Sequence, residues 1–191
     1  MVNKQTNKQI VLASASPRRK QLLAQLGYDF MVNATNIEER RQPNELPQHY
    51  VNRLAIEKAE ACLTSFPEAV VIGADTIVVI DGDVLEKPRD LAHSQQMLQR
   101  LSGQCHQVLT SVAVISEHEQ QSKVITTKVW FKPLSSADIE HYWQTGEPSD
   151  KAGSYAIQGL GGKFVTRMEG SYHAVVGLPL YETDQLLHEF L

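Results

Sequence analysis

The chain has 191 residues, 42% apolar and 21% charged, the composition of a globular protein that buries a full core. Its net charge of −4 supplies no basic field for nucleic acid or an anionic membrane surface. A polyanionic ligand would have to be met by locally placed Arg and Lys. The polar opening MVNKQTNKQ lacks the apolar stretch of a signal peptide, and no apolar run approaches a membrane span. The expectation is a single domain over residues 1–191 with residues 1–8 as a flexible tail, in the cytoplasm, with neither nucleic acid nor membrane as a partner.

In chain order, Ile10–Ala13 reads as a short strand leading into SASPRRKQLLAQLG, a helix with Ser16 at the N-cap, Pro17 at its first position and Gly27 closing it. YDFMVNA reads as a strand and NIEERRQPNELP as a polar loop. Gln48–Leu63 is an amphipathic helix with Val51, Leu54, Ala55, Ala59, Cys62 and Leu63 on one stripe. VVIGADTIVVI, from Val70, reads as a buried strand followed by an Asp-Gly hairpin turn. LAHSQQMLQRLSG reads as a helix capped by Asp90 and ended by Gly103. CHQVLTSVAVIS and SKVITTKVWFK alternate as two strands, and SSADIEHYWQTG reads as a helix. GKFVTRMEGSYHAVVGLPL is expected to give two short strands around Glu169-Gly170, and DQLLHEFL a terminal helix. Helices alternating with strands early and hairpins later define an α/β class with a mixed sheet. Cys62 and Cys105 sit in apolar patterns without CxxC spacing and read as core thiols of a reduced protein. The seven His show no paired ligand spacing, so a metal is expected to be a hard cation on carboxylates.

Six stretches carry charge in places where chemistry would explain it. In the Asp75 strand, an ionised carboxylate among apolar residues needs a cation or donors to offset several kcal/mol or more of burial cost. SASPRR, Ser14 to Arg19, puts two arginines in a first helical turn that ordinarily prefers acids; either they are solvated beside a plain Ser cap, or an anion sits there. Glu38 and Glu39 are adjacent in a polar loop and are either solvated or a cation site. Lys58, four residues after Leu54 and seven after Val51, lies on the apolar stripe of its helix and either snorkels outward or reaches a buried partner. Lys87 is held extended before Pro88, and Gly146 to Gly162 contains five glycines with Asp150, Lys151 and Gln158. Together these acids, cations and glycines suit a metal-bound polyphosphate.

The ordered run LASASPRR, RLAIEKA, IGADTIVV, LEKPRD, LSGQCHQVLTSVAV, DKAGSYAIQG and GSYHAVVGLPL, from about Leu12 to Leu180, resembles the Maf family of nucleoside triphosphate pyrophosphatases. The resemblance implies a mixed, twisted sheet flanked by helices around a deep cleft, related to the inosine triphosphate pyrophosphatase architecture. It implies cleavage of a nucleoside triphosphate between the α- and β-phosphates with a divalent metal, Mg²⁺ or Mn²⁺. It casts Asp75 as proton acceptor and puts Glu39, Lys58 and Lys87 at charged active-site positions; the expectation built on it is a metal held by Asp75 and Glu39, with Lys58 and Lys87 as catalytic cations. Arg18, Thr76 and Gln158 match positions of substrate choice, with Ser14 assisting. SPRR, GADT and IQG resemble the branch acting on dTTP and UTP rather than the 7-methyl-GTP branch. A homodimer is compatible with it, and the rival roles are a pyrophosphatase for modified or purine nucleotides and a nucleotide-binding regulator of septum formation.

Ala15, Asn36 and Ala156 each replace a glycine usual in the family, which adds bulk without removing a charge. One tension is visible in advance. In a regular strand Asp75 and Thr76 point to opposite faces, so a shared substrate requires a bulge, which Gly73 would permit, or an indirect role for Thr76.

Overall fold

A computed structural model describes residues 8–191. The expected tail falls outside this range except for Lys8, whose ammonium donates to the Phe190 carbonyl at 2.7 Å. Among the described residues the strands are β1 (Ile10–Leu12), β2 (Met31–Val32), β3 (Val70–Ile80), β4 (Asp83–Leu85), β5 (Cys105–Ile115), β6 (Gln120–Phe131) and β7 (Val165–Glu169). The helices are α1 (Pro17–Gln25), α2 (Pro47–Leu63), α3 (Leu91–Leu101), α4 (Ser136–Gln144), α5 (Tyr172–Val176) and α6 (Leu180–Phe190). The strands form one mixed sheet in the order β2-β1-β3-β5-β6-β7, with β4 paired to β3. No helix among the described residues is long and apolar enough to cross a membrane.

The chain divides into two compact units, and β3, β5 and β6 each pass from one unit to the other. The first holds residues up to Asp75, Thr110–Ile125 and Gly177–Leu191. Here β1 pairs in parallel with β2 and with β3, Leu12 standing opposite Ile72 at the end of the β1–β3 ladder. Helix α2 buries Tyr50, Val51, Leu54, Ala55, Lys58, Ala59 and Cys62, the stripe its apolar spacing dictates. Val11, Ala13, Ala59, Cys62, Ala69, Val71 and Ile115 form one of its core clusters.

The second unit holds Thr76–Leu109 and Thr126–Val176. Asp81 and Gly82 both adopt positive φ, as a tight hairpin from β3 into β4 requires. Its core gathers Val78, Leu98, Leu101, Val129, Phe131, Ile139, Tyr142 and Phe164. Serine–aspartate capping starts its helices: Asp90 accepts from the His93 amide at 2.8 Å, and Ser135 and Asp138 form a capping box on α4.

Two expectations are corrected. Only one strand, β7, flanks Glu169-Gly170; the apolar run after it is helix α5. Gly170 takes φ 127, which ends the strand, and Ser171 Oγ accepts from the Ala174 amide at 3.2 Å, so a local cap overrides a β-like apolar pattern. Cys105 is exposed, not core: it opens β5, whose first residues alternate, and it shares the outward face with Gln107. Cys62 is buried as expected.

Candidate active site

The first unit brings four charged side chains into mutual range. Asp75 and Lys58 are each 7% exposed, and Lys58 Nζ donates to Asp75 Oδ1 at 2.7 Å. The same ammonium lies 2.6 Å from Glu39 Oε1, so Lys58 bridges a buried carboxylate and an exposed one. Of the two outcomes open for a lysine on an apolar stripe, the buried partner is the one realised.

The backbone reason lies at Gly73. A Cβ there would fall 2.0 Å from the Ala55 carbonyl oxygen and 2.9 Å from the Ala59 Cβ and amide nitrogen. Glycine therefore lets α2 lie directly on β3. Asp75, two residues on, points to the same face, and Lys58 follows Ala55 by one helical turn on the facing side. The strand runs unbroken from Val70 to Ile80, and what Gly73 contributes is close approach. Thr76 consequently points away from Asp75; it is half-buried and belongs to the second unit.

Glu39 comes from the stretch between β2 and α2, which Arg53 ties to its helix. The Arg53 guanidinium donates to both Glu45 oxygens at 2.7 and 2.8 Å, to Glu57 at 3.0 and 3.1 Å, and to the Arg40 carbonyl at 3.0 Å. Hydrogen bonding from Arg53 holds the Glu45 carboxyl down at about 2. Tyr50 adds a donation to the Glu39 carbonyl at 3.4 Å.

The turn after β1 supplies the second cation. Ser16 caps α1, and Ser14 Oγ accepts from the Ser16 amide at 3.2 Å and from Arg19 Nη1 at 3.3 Å. Arg19 Nε donates to the Gly177 carbonyl at 2.8 Å, which fixes the guanidinium at the helix start. Burial lowers Arg19 from its ordinary range against the raising effect of Asp75, and an arginine stays charged through such a change. Burial pushes the Asp75 carboxyl up, while Lys58 and then Arg19 pull it down. A carboxyl balanced this way is suited to accept a proton.

Arg18 lies beside Arg19 in the first turn of α1, half-buried. Lys87 and Gln158 belong to the second unit, where both are exposed, Lys87 before the buried Pro88 and Gln158 in a turn. Thus Asp75, Lys58 and Glu39 are joined directly, and Ser14 is joined to Arg19. The sequence reading set both arginines of this turn against an anion but gave a site role to Arg18 alone, and it passed over Arg53. For Arg53 the signal was the acid four residues on, Glu57, together with Glu45 eight before.

These groups collect just beyond the last β1–β3 pair, Leu12 with Ile72, at the carboxyl end of β1, the kind of edge where α/β sheets bind ligands. Two cations, Lys58 and Arg19, lie there with two acids, Asp75 and Glu39. The chain belongs to the Maf-like family: the family model described as Maf-like protein matches residues 9–190. The dTTP/UTP pyrophosphatase of Vibrio parahaemolyticus is 63% identical over 183 residues, covering 95% of this chain and 97% of that one. The dTTP/UTP pyrophosphatase of Vibrio cholerae is 62% identical over 97% of this chain and 100% of its own, and that of Aliivibrio fischeri 54% identical over 96% and 98%. Among solved structures, the Staphylococcus aureus Ham1 protein is similar at a TM-score of 0.45 and 16% identity over 65% of this chain and 71% of that one, too slight a likeness to argue from.

Proposed function

We propose that this protein is a cytoplasmic nucleoside triphosphate pyrophosphatase that cleaves dTTP and UTP between the α- and β-phosphates, releasing the nucleoside monophosphate and pyrophosphate. Relatives bearing that activity in their names match it over nearly their whole length. The observation that carries the reading is the Asp75 carboxylate, buried in a strand, held by Lys58 at 2.7 Å with Glu39 on the same ammonium.

A divalent cation fits this donor set. Asp75 and Glu39 offer hard oxygen atoms, and Mg²⁺ is commonly held by one or two carboxylates with substrate phosphates completing its shell. Among the described residues no group of three or more His, Cys, Asp or Glu could hold a metal by itself, so phosphate oxygens would have to complete the shell. Asp75 and Glu39 would hold the ion, and it would neutralise charge on the triphosphate. Asp75 takes the proton of the attacking water. Lys58 and Arg19, with Arg18 beside it, balance phosphate charge, and the Ser14 hydroxyl next to Arg19 assists. Lys87 is assigned the role of a further catalytic cation. Gln158 offers one donor and one acceptor, the complement of the imide edge of thymine or uracil. Thr76, facing away from Asp75, influences substrate choice indirectly.

Asp75→Asn should lower pyrophosphate release by orders of magnitude with an unchanged circular dichroism spectrum; turnover near wild type would overturn the proton-acceptor role. A nucleotide panel should favour dTTP and UTP. Preference for a purine or 7-methyl-GTP would overturn the substrate, and tight binding without turnover would favour a regulator.

A further inference from the structure

The mechanism leaves unused an unusual carboxylate in the second unit. Glu147, at the start of the glycine-rich segment, accepts three hydrogen bonds. Its Oε1 receives the Tyr142 hydroxyl at 2.7 Å and the Gly161 amide at 3.0 Å, and its Oε2 receives the Leu160 amide at 2.9 Å. The Tyr142 hydroxyl in turn accepts from the Ala156 amide at 3.0 Å. Tyr142 is 1% exposed in α4, its ring edge-on to Phe164 at 5.0 Å, so the hydroxyl is aimed by the core. Those hydrogen bonds hold the Glu147 carboxyl below its ordinary value against burial, and burial with the same carboxylate pushes the Tyr142 phenol up.

The bonded amides bracket one turn. Ala156 is fastened on its near side, Leu160 and Gly161 on its far side, and Gln158 stands exposed at its middle. The turn also closes tightly over the carboxylate. A Cβ on Gly159 would lie 2.2 Å from Glu147 Oε2 and 2.5 Å from its Cδ, and one on Gly161 would lie 2.6 Å from the Tyr142 hydroxyl. A plain surface connector needs neither a charged acceptor with three donors nor two glycines moulded to it.

We infer that Glu147 and Tyr142 are positioning residues that hold the Gln158 turn in the geometry by which its amide tells uracil and thymine from cytosine; this rests on the reading of Gln158 as the group facing the base. A glutamine amide carries a donor and an acceptor side by side and, turned over, matches the cytosine edge as well as the imide edge. Discrimination therefore requires the backbone beneath it to be fixed. Glu147 and Tyr142 touch no reacting atom, so their loss acts on base choice and not on the chemical step.

The test compares steady-state pyrophosphate release from UTP and CTP for wild type, Glu147→Gln, Tyr142→Phe and Gln158→Ala, with thermal unfolding run alongside. Glu147→Gln removes the charge that strengthens three hydrogen bonds, and Tyr142→Phe removes the hydroxyl while keeping the ring in the core. Each is expected to lower the UTP-over-CTP ratio of kcat/KM roughly tenfold, mainly through a higher KM for UTP, with kcat on UTP within about threefold. General loosening of the fold would lower both substrates together and leave that ratio unchanged. If Gln158→Ala loses the ratio while folded Glu147→Gln and Tyr142→Phe keep it, the inference is overturned and the Gln158 reading stands. If Gln158→Ala itself keeps the ratio, the Gln158 reading is overturned, and the inference with it.

Discussion

Substituting alanine for Gly73 adds one methyl group at the point where β3 meets α2. An ideal Cβ lies 2.0 Å from the Ala55 carbonyl oxygen and 2.9 Å from both the Ala59 Cβ and its amide nitrogen. These are backbone atoms and a methyl root, so no change of rotamer relieves the contact. Bringing the carbonyl clear means moving α2 and β3 apart by about 1 Å, which overpacked cores do at a cost of about 1–3 kcal/mol. The displaced segment carries Lys58, whose Nζ sits 2.7 Å from Asp75 and 2.6 Å from Glu39. Lengthening either contact by even part of the helix displacement detunes Asp75, the proposed proton acceptor, and misplacement of about 1 Å at a reacting group costs up to about 10²-fold in rate. Gly73→Ala is therefore expected to unfold at lower urea and to lose kcat/KM on dTTP out of proportion to the fraction unfolded under assay conditions. Denaturant unfolding followed by circular dichroism gives the first quantity and pyrophosphate release the second. A variant within about 0.5 kcal/mol of wild type with unchanged kcat/KM would refute the role assigned to this contact.

Two other outcomes follow from the charges. His106 is buried in the second unit against the Phe131 ring, its Nε2 2.8 Å from the Tyr155 hydroxyl and its Nδ1 without a partner among the described residues; burial pushes it down to about 4. The unfolded chain thus binds a proton near pH 6.5 that the folded chain refuses, so the neutral histidine's contribution is complete above pH 6.5 and on the order of 3 kcal/mol is lost as pH falls to about 4. Urea titrations across that range should show a shallower decline for His106→Phe than for wild type, and equal declines would show that His106 does not titrate as described. The second concerns Mn²⁺. With Lys58 on one oxygen of each carboxylate, electron paramagnetic resonance should show weak Mn²⁺ binding to the protein alone and tight binding with a non-hydrolysable nucleotide, while Lys58→Gln should bind Mn²⁺ more tightly without nucleotide; tight binding to the unliganded wild type would argue against Lys58 as the competing cation.

The regular elements were legible where pattern and capping agree. The α2 stripe, the Asp81-Gly82 hairpin and the Asp90 and Ser135 caps all come from local rules that tertiary contacts reinforce. The segment after Gly170 was not legible, because Val and Ala at β-like density were outweighed by one serine hydroxyl placed to cap a helix. Three of the four boundaries between the two compact units fall inside β3, β5 and β6, where composition has no reason to change. Arg18 and Arg19 are equivalent in sequence, and only the Gly177 carbonyl, 158 residues from Arg19, separates them.

The site itself was half legible, and the missing half is a matter of register. Asp75 and Lys58 each break the pattern of the element that carries them, an acid in a buried strand and a cation on an apolar stripe. Either anomaly alone has a harmless explanation, as a hydrogen-bonded core acid or a snorkelling lysine. Each becomes costly only if buried, and burial of both is tolerable only if they meet. What brings them together is the small-residue face between them: Gly73 on the strand, Ala55 and Ala59 on the helix. Larger residues at those three positions would lift α2 outward and leave Asp75 a buried charge without a counter-ion. The glycine in GADT is thus as much a part of the acid's environment as the lysine, and the strand-to-helix distance it sets decides whether the buried Asp75 meets its counter-ion.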